Sequence, residues 1–383
     1  MSVHLPGSVT RLVWRGDALL MVRHSTPCAA STGEIHQRRI LECLDESGGR
    51  RWQHALEPRG LGELYAPEQL AIDPAGIAWV LYADGLTGIA ADGRLHARHL
   101  ILREEDEQCG GFALLANGFL VSVFGIGRLA SRVLRLDASG AICWSTVLPV
   151  TDVSHRGVVQ MTAASGWRAT AMPPWQPHTW IPCNPPLVVS QDRVLARFFD
   201  MPRSGISRAY GLDLATGAHL FTSEPHPPAE AISLGQGRFL VGVQGYGAFE
   251  SWLVERDGDL SRTWPGQGRY LPDAGGQVHV VEMENRLPSK MHFTTLRMDG
   301  TVERGPWLDG YYTSSAARLD DGSIVFWRNG ALQEVTPEGW LLRLLKTDAA
   351  SDHRVWPGDL ATDGERVWFV INRENVSQLY RFG

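Results

Sequence analysis

The sequence predicts an all-β fold: one eight-bladed β-propeller of four-stranded antiparallel blades, with seven blades as the alternative. Three observations predict it. An apolar stretch running into Asp or Glu and then Gly recurs along the chain, with turn glycines at 48, 93, 140, 217, 258, 300, 339 and 383. Their spacing is 39–47 residues, broken once by a step of 77. Between the turns lie short runs rich in Val, Leu, Ile, Trp and Phe, cut by Gly, Asp, Asn and Pro. A fixed period of this size marks one supersecondary unit repeated, and short apolar runs bounded by such turn residues read as strands.

The copies can be followed in order. Leu44-Asp45-Glu46-Ser47-Gly48 leads to Trp52, and Ala91-Asp92-Gly93 follows. Leu136-Asp137-Ala138-Ser139-Gly140 leads to Trp144, then comes Leu212-Asp213-Leu214-Ala215-Thr216-Gly217. Asp257-Gly258 precedes Trp264, Asp299-Gly300 precedes Trp307, and Glu338-Gly339 runs straight into Trp340. The third unit shows the strand grammar. Strands are expected at 111–115, 119–124, 131–136 and 141–148, with Asn117-Gly118 as the first hairpin turn; such pairs supply the positive backbone angles tight turns need. The same grammar fits 186–224, 228–264, 269–307 and 312–345. Trp14, Trp79, Trp327 and Trp368 are expected in second strands, packing between blades.

After Gly383 no fourth strand follows, whereas Ser2-Val3-His4-Leu5-Pro6 resembles the outer strand Ser145-Thr146-Val147-Leu148-Pro149. The first residues are therefore expected to complete the last blade beside 378–382. Such closure removes the exposed sheet edges that invite aggregation. Residues 1–383 then form one domain, expected to be a monomer, and the long step becomes an insertion at 150–185 between blades 3 and 4.

The Leu-Asp-x-x-Gly-x-x-x-Trp pattern at 44–52 and 136–144, with its Thr-Gly form at 212–221, resembles the PQQ-like repeat of quinoprotein dehydrogenases and the BamB assembly factor. More distantly, the reading is similar to WD40/YVTN-like propellers. The PQQ-like resemblance implies eight blades, a Trp packed between neighbouring blades and a turn before each outer strand. It implies nothing fixed about function. Family enzymes that hold pyrroloquinoline quinone use adjacent cysteines, a Ca²⁺ carboxylate cluster and a secretion signal. Here Cys28, Cys43, Cys109, Cys143 and Cys183 are scattered. No cofactor is expected, and PQQ in particular is not.

Net charge is -6, so nothing pulls the chain toward nucleic acid. No apolar stretch reaches the ~18 residues of a membrane helix, and Met-Ser-Val-His-Leu-Pro-Gly lacks the features of a signal peptide. A cytoplasmic setting is expected, without a nucleic-acid or membrane partner. The basic residues are nearly all Arg, with Lys290 and Lys346 the only lysines, as in proteins of GC-rich bacterial genomes.

In a propeller, the connections between strands two and three and from blade to blade share one face. Long loops are expected there at 24–36, 199–210, 244–249, 282–292, 372–377 and in the insertion; long structured loops on a rigid scaffold concentrate function. The insertion carries His155, Trp167, Trp175, His178 and Trp180 among five prolines and Cys183. It reads either as a packing strap or as a lid. Candidate catalytic residues near the funnel are His155, His178, Tyr270, Tyr311, His353 and Glu374, as His, Tyr and Glu are the usual acids and bases. Glu230, Tyr312 and Asp359 belong to the same wider set. Candidate binding residues are Trp167, Trp175, Trp180, Tyr246, Arg328 and Arg373. His24, Glu34 and His36 share one loop and form a weak metal candidate. The acidic run Glu104-Glu105-Asp106-Glu107 reads as a solvated surface. Gly125-Ile126-Gly127-Arg128-Leu129-Ala130 has dinucleotide-fingerprint spacing, but a strand is expected after it where the fingerprint needs a helix.

No nucleophile elbow, zincin or P-loop motif occurs. The first functional expectation is therefore an interaction module presenting its loop face to a protein or peptide, in the manner of aromatic and Arg hot spots. The alternatives are a small-molecule lyase, isomerase, cyclase or hydrolase with its site under the 150–185 lid, and a propeller that binds a ligand without turning it over.

Overall fold

A computed structural model describes residues 2–24, 28–29, 35–36, 39–56, 69–82, 84–101, 107–125, 131–148, 179–201, 207–223, 230–244, 249–265, 268–273, 275–284, 290–309, 312–328, 331–347, 356–373 and 376–383. They form eight four-stranded antiparallel sheets in a ring, with no helix among them. The eight-bladed expectation holds over the seven-bladed one. Blades 1 to 7 span residues 8–56, 70–100, 107–147, 179–222, 231–265, 268–309 and 312–347. Blade 8 takes three strands from 356–382 and its fourth from Ser2–Pro6. Strands are counted here from the hub outward. The first strands form the inner ring, blade 2 meeting blade 3 through its second strand.

The closure follows the sequence expectation. Ser2–Pro6 pairs antiparallel with Val376–Phe382, Ser2 opposite Tyr380 and Pro6 opposite Val376. A buried polar latch backs it. The Val9 amide donates to Asn372 Oδ1 at 3.0 Å and lies 3.1 Å from Ser377 Oγ, Asn372 Nδ2 donates to the Val9 carbonyl at 3.0 Å, and the Ser377 hydroxyl donates to the Gly7 carbonyl at 2.7 Å. Trp14 stacks on Trp368 with ring centroids 3.8 Å apart, so this seam also carries an aromatic pair. Trp14 lies in the first strand of blade 1, not in a second strand as expected; Trp79, Trp327 and Trp368 are in second strands.

The core is not central. Eight apolar clusters of the described residues sit one at each junction between blades, each built from the facing surfaces of two twisted sheets. Alternation along each strand therefore buries both faces of the middle strands, as in the second strand of blade 2, Ala78–Tyr82, where every residue is buried.

The repeat motif explains how the junctions lock. Trp52, four residues after Gly48, lies over Gly93 of blade 2 and donates its indole N–H to the Ala91 carbonyl at 2.7 Å. Trp144, four after Gly140, lies over Gly217 of blade 4 and donates to the Leu214 carbonyl at 3.1 Å. A Cβ on Gly217 would sit 2.6 Å from that ring, and its φ is +74°, so the site requires glycine on two counts. Arg262 takes the same place over Gly300 and bonds the Met298 carbonyl of blade 6, and Arg381, on the third strand of blade 8, bonds the Glu46 carbonyl of blade 1. His99, Phe221 and Phe293 instead cover Gly140, Gly258 and Gly339. The two phenylalanines bring no N–H. From blade 1 around to blade 7, junctions clamped by an N–H donor thus alternate with junctions covered by a ring, and the junction between blades 8 and 1 is clamped as well.

The other repeat tryptophans are not equivalent. Trp264 and Trp307 fall six and seven residues after their glycines, and Trp340 only one. Trp264 is buried between blades 5 and 6, but Trp307 and Trp340 are 51% and 63% exposed. The docking place in blade 7 is held by Arg343, ion-paired at 2.5 Å to the buried Glu334 of its own blade.

The acidic residues of the turns bind backbone. Asp45 Oδ1 accepts from the amides of Ser47 and Gly49, and Asp137 Oδ1 from those of Ser139 and Ala141, each at 2.8–3.0 Å. Hydrogen bonds, first among them the Ser47 and Ser139 side chains, hold both carboxyls below the usual carboxylate range; Asp213, Asp299 and Asp321 are held low in the same way. A carboxylate with a depressed folded pKa stabilises the fold above its unfolded value, near 4, and that stability is lost as pH falls through the folded value. Melting temperature is therefore expected to be flat above about pH 5 and to drop below about pH 4. A scan between pH 3 and 7 showing no acid decline would contradict this turn chemistry.

Candidate functional site

Antiparallel pairing sends the connections to two ends. At one end every connection is a turn of two to five residues. At the other lie all the connections longer than five residues, among them 25–38, 57–69, 148–178, 223–230 and 348–355, together with five-residue ones at 126–130, 202–206 and 285–289. The expected loop-bearing face is therefore where the strands place it. Several of the expected loops are shorter than read. Strands continue to Met201, Glu284 and Arg373 and resume at Ser207, Lys290 and Val376. The insertion likewise ends early, because Thr179–Ser190 is the first strand of blade 4, with Trp180 opposite Asp200.

Beneath that face, in blades 4 to 6, polar groups collect. Glu230 directly precedes the first strand of blade 5 and pairs with Arg269 at 2.5 Å, while its second oxygen accepts from the Tyr270 amide at 3.3 Å. Tyr270 is 2% exposed, and its hydroxyl lies 2.7 Å from Ser251 Oγ. Burial pushes the Glu230 carboxyl above the usual carboxylate range against the pull of Arg269, and pushes the Tyr270 phenol well up. The buried Arg197 guanidinium of blade 4 pulls both back down. In blade 6, Glu282 and His292 are cross-strand partners, both buried, with Oε2 and Nε2 2.9 Å apart. The Trp307 ring meets the imidazole edge-on at 4.0 Å. Neither ring nitrogen of His292 makes a hydrogen bond among the described residues, so its contact with Glu282 is one of proximity. Together these form a carboxyl with a raised pKa beside a guanidinium, and an imidazole packed between a second carboxyl and an indole ring, two groups of the kind that serve as acid and base.

Of the candidates read from sequence, the structure brings only Tyr270 into this cluster, along with Glu230 from the wider set. Arg328 and Arg373 stand at the loop-bearing ends of blades 7 and 8. His155, His178, Tyr311, His353, Glu374, Trp167, Trp175, Tyr246 and Glu34 lie outside the described residues, as do the side chains of Trp180 and Tyr312. His24 ends the second strand of blade 1, and His36 is known by its backbone alone, in a short hairpin opposite Cys28. No group of three or more His, Cys, Asp or Glu able to hold a metal occurs among the described residues. Cys43 and Cys109 are buried in blades 1 and 3 and Cys143 is exposed on the outer strand of blade 3. Glu107 leaves the acidic run to form a buried ion pair with Arg132 at 2.5 Å. The segment after Gly125 leads into the strand Ser131–Leu136, which rules out the dinucleotide reading.

Sequence reading missed Glu282, His292, Arg197 and Ser251. The signal was present: Glu282 and His292 are symmetric about residue 287, as cross-strand partners flanking one connection must be.

One exposed surface stands apart. Outer strands elsewhere mix polar residues with one or two exposed apolar ones, as Leu95 and Leu100 beside His96 and Arg98 in blade 2, or Ile142 and Val147 in blade 3. The outer strand of blade 7, Leu341–Thr347, follows Trp340 and exposes Leu341, Leu342 and Leu344 by 60%, 53% and 54%.

No protein-family model matches the chain, and no curated protein matches it in sequence. Solved structures do match in fold. A europium-containing methanol dehydrogenase superposes with a TM-score of 0.53 at 13% identity, covering 96% of this chain and 84% of that one. A chain of the mitotic checkpoint complex gives 0.51 at 13% identity, covering 82% and 88%. At that identity the likeness establishes the propeller architecture, which agrees with the PQQ-like resemblance of the sequence.

Proposed function

We propose that the protein is a cytoplasmic β-propeller interaction module whose loop-bearing face, continued by the outer wall of blade 7, receives a protein or peptide. The observation that carries this reading is the run Trp340, Leu341, Leu342 and Leu344, four large apolar side chains each more than half exposed at one edge strand, where no other outer strand among the described residues exposes more than two. Exposed apolar residues grouped in this way mark contact surfaces. One propeller neighbour belongs to a protein complex. The reading calls for no quinone.

A photo-cross-linking residue at position 342, with position 53 on blade 1 as control, tests it in the source cell. Position 342 is expected to capture a discrete protein, and Leu341→Asp with Leu344→Asp to abolish that capture while leaving the melting temperature within a few degrees, as surface changes do. No capture from 342, or equal capture from 53, overturns the reading.

A second reading, a small-molecule enzyme, is favoured by the Glu230–Arg269–Tyr270–Ser251 and Glu282–His292 contacts beneath the loop face.

A further inference from the structure

The junction between blades 4 and 5 departs from those beside it. Phe221 stands four residues after Gly217, where Trp52 and Trp144 stand in their blades. Its ring is held between two glycines: a Cβ on Gly211 of its own blade would come within 2.0 Å of the ring, and one on Gly258 of blade 5 within 2.4 Å. Phenylalanine is smaller than tryptophan and has no N–H to clamp the next turn. At the turn end the junction is closed instead by Arg256 of blade 5 bonding Asp192 of blade 4. Between these contacts a cleft of about 270 Å³ remains open. Leu195, Val241, Phe221 and Trp252 line it, with Thr222 and Asp259 adding a hydroxyl and a carboxylate. The Trp252 indole N–H is engaged by Glu250 at 2.8 Å, so the ring is fixed in place. Asp259 is exposed, and no cation pairs with its carboxylate among the described residues.

We propose that this cleft binds a small arylalkylammonium ligand, its aromatic ring against Phe221 and Trp252 and its ammonium at Asp259. Volume, lining and charge agree on the class. An engineered apolar cavity of about 150 Å³ holds a benzene ring, so the space here suits a bicyclic aromatic with a short side chain. Aromatic walls attract a cation as well as a ring. The carboxylate selects a cationic head over a neutral or anionic one. The site lies in a seam between blades, apart from the loop-bearing face and from the wall of blade 7.

Tryptamine, indole and indole-3-propionate serve as probes, titrated into the whole chain and followed by calorimetry and by Trp fluorescence. Tryptamine is expected to bind about threefold or more tightly than indole, the scale of one exposed charge contact, and indole-3-propionate most weakly. Asp259→Asn is expected to bring tryptamine down to the level of indole. Phe221→Trp is expected to fill the cleft, abolish binding of all three and raise the melting temperature. Ala209→Leu fills the same cleft from the other blade-4 wall and decides the matter if the Trp variant does not fold. Equal affinities for the three probes, no binding of any, or binding undiminished in the filled variants would each overturn the proposal.

Discussion

A chain beginning at Gly7 is expected to be less stable than the full ring by about 3 kcal/mol and to self-associate. The first effect comes from burial. Leu5 is 7% exposed and belongs to the cluster joining blades 8 and 1, with Val3 packed against it; removing one large and one partial apolar burial costs on this order. The ring should not fall open altogether, because the Val9–Asn372–Ser377 latch lies outside the deleted residues. The second effect is colloidal. Without Ser2–Pro6, the strand Val376–Phe382 becomes an unpaired edge, a template for another chain. Urea denaturation and light scattering on the two chains measure both effects. An unchanged midpoint with no new association would show that the strand adds nothing to closure.

Trp144→Ala is expected to cost about 3 kcal/mol, and Trp340→Ala less than about 0.5 kcal/mol. The two residues are chemically identical and both follow a turn glycine, so the comparison isolates register. Trp144 covers Gly217 and satisfies the Leu214 carbonyl, which Arg135 also reaches at 3.1 Å, while Thr146 Oγ1 donates to the Gly217 carbonyl at 2.6 Å. Truncation removes a ring from a closed contact between two blades. Trp340 covers no glycine and stands in solvent. Denaturation midpoints with equal slopes for the two variants settle the difference. Similar losses for both would mean that position after the glycine does not govern docking.

Local chemistry made the architecture readable before any coordinates. Each Asp-Gly turn uses contacts within five residues, and each strand declares itself by its own alternation. Even the distant pairing of Ser2–Pro6 with Val376–Phe382 could be inferred, because a ring missing one strand and a spare strand of the right composition imply each other. Docking was less legible. Trp52, Trp144, Trp264, Trp307 and Trp340 all follow a turn glycine, yet the outer strands carry bulges near their starts, as where Ile142 and Trp144 face the adjacent Leu136 and Arg135, and a one-residue offset turns a side chain to the other face. The polar cluster was least legible. Glu230, Arg269, Ser251 and Arg197 come from three blades, and nothing in one strand announces the charge that a neighbouring blade will set beside it.

The alternation of clamped and ring-covered junctions gives the wheel a hidden grouping. Blades 1 and 2, 3 and 4, and 5 and 6 are each joined by an N–H to carbonyl contact, as are 7 and 8 and 8 and 1, while the seams 2–3, 4–5 and 6–7 carry a ring over the turn glycine in its place. A body built in groups does not flex evenly. Strain introduced by something gripping the rim would gather at the three seams whose turn glycines lie under a ring, so the blades between them would move as sectors, the largest made of blades 7, 8, 1 and 2.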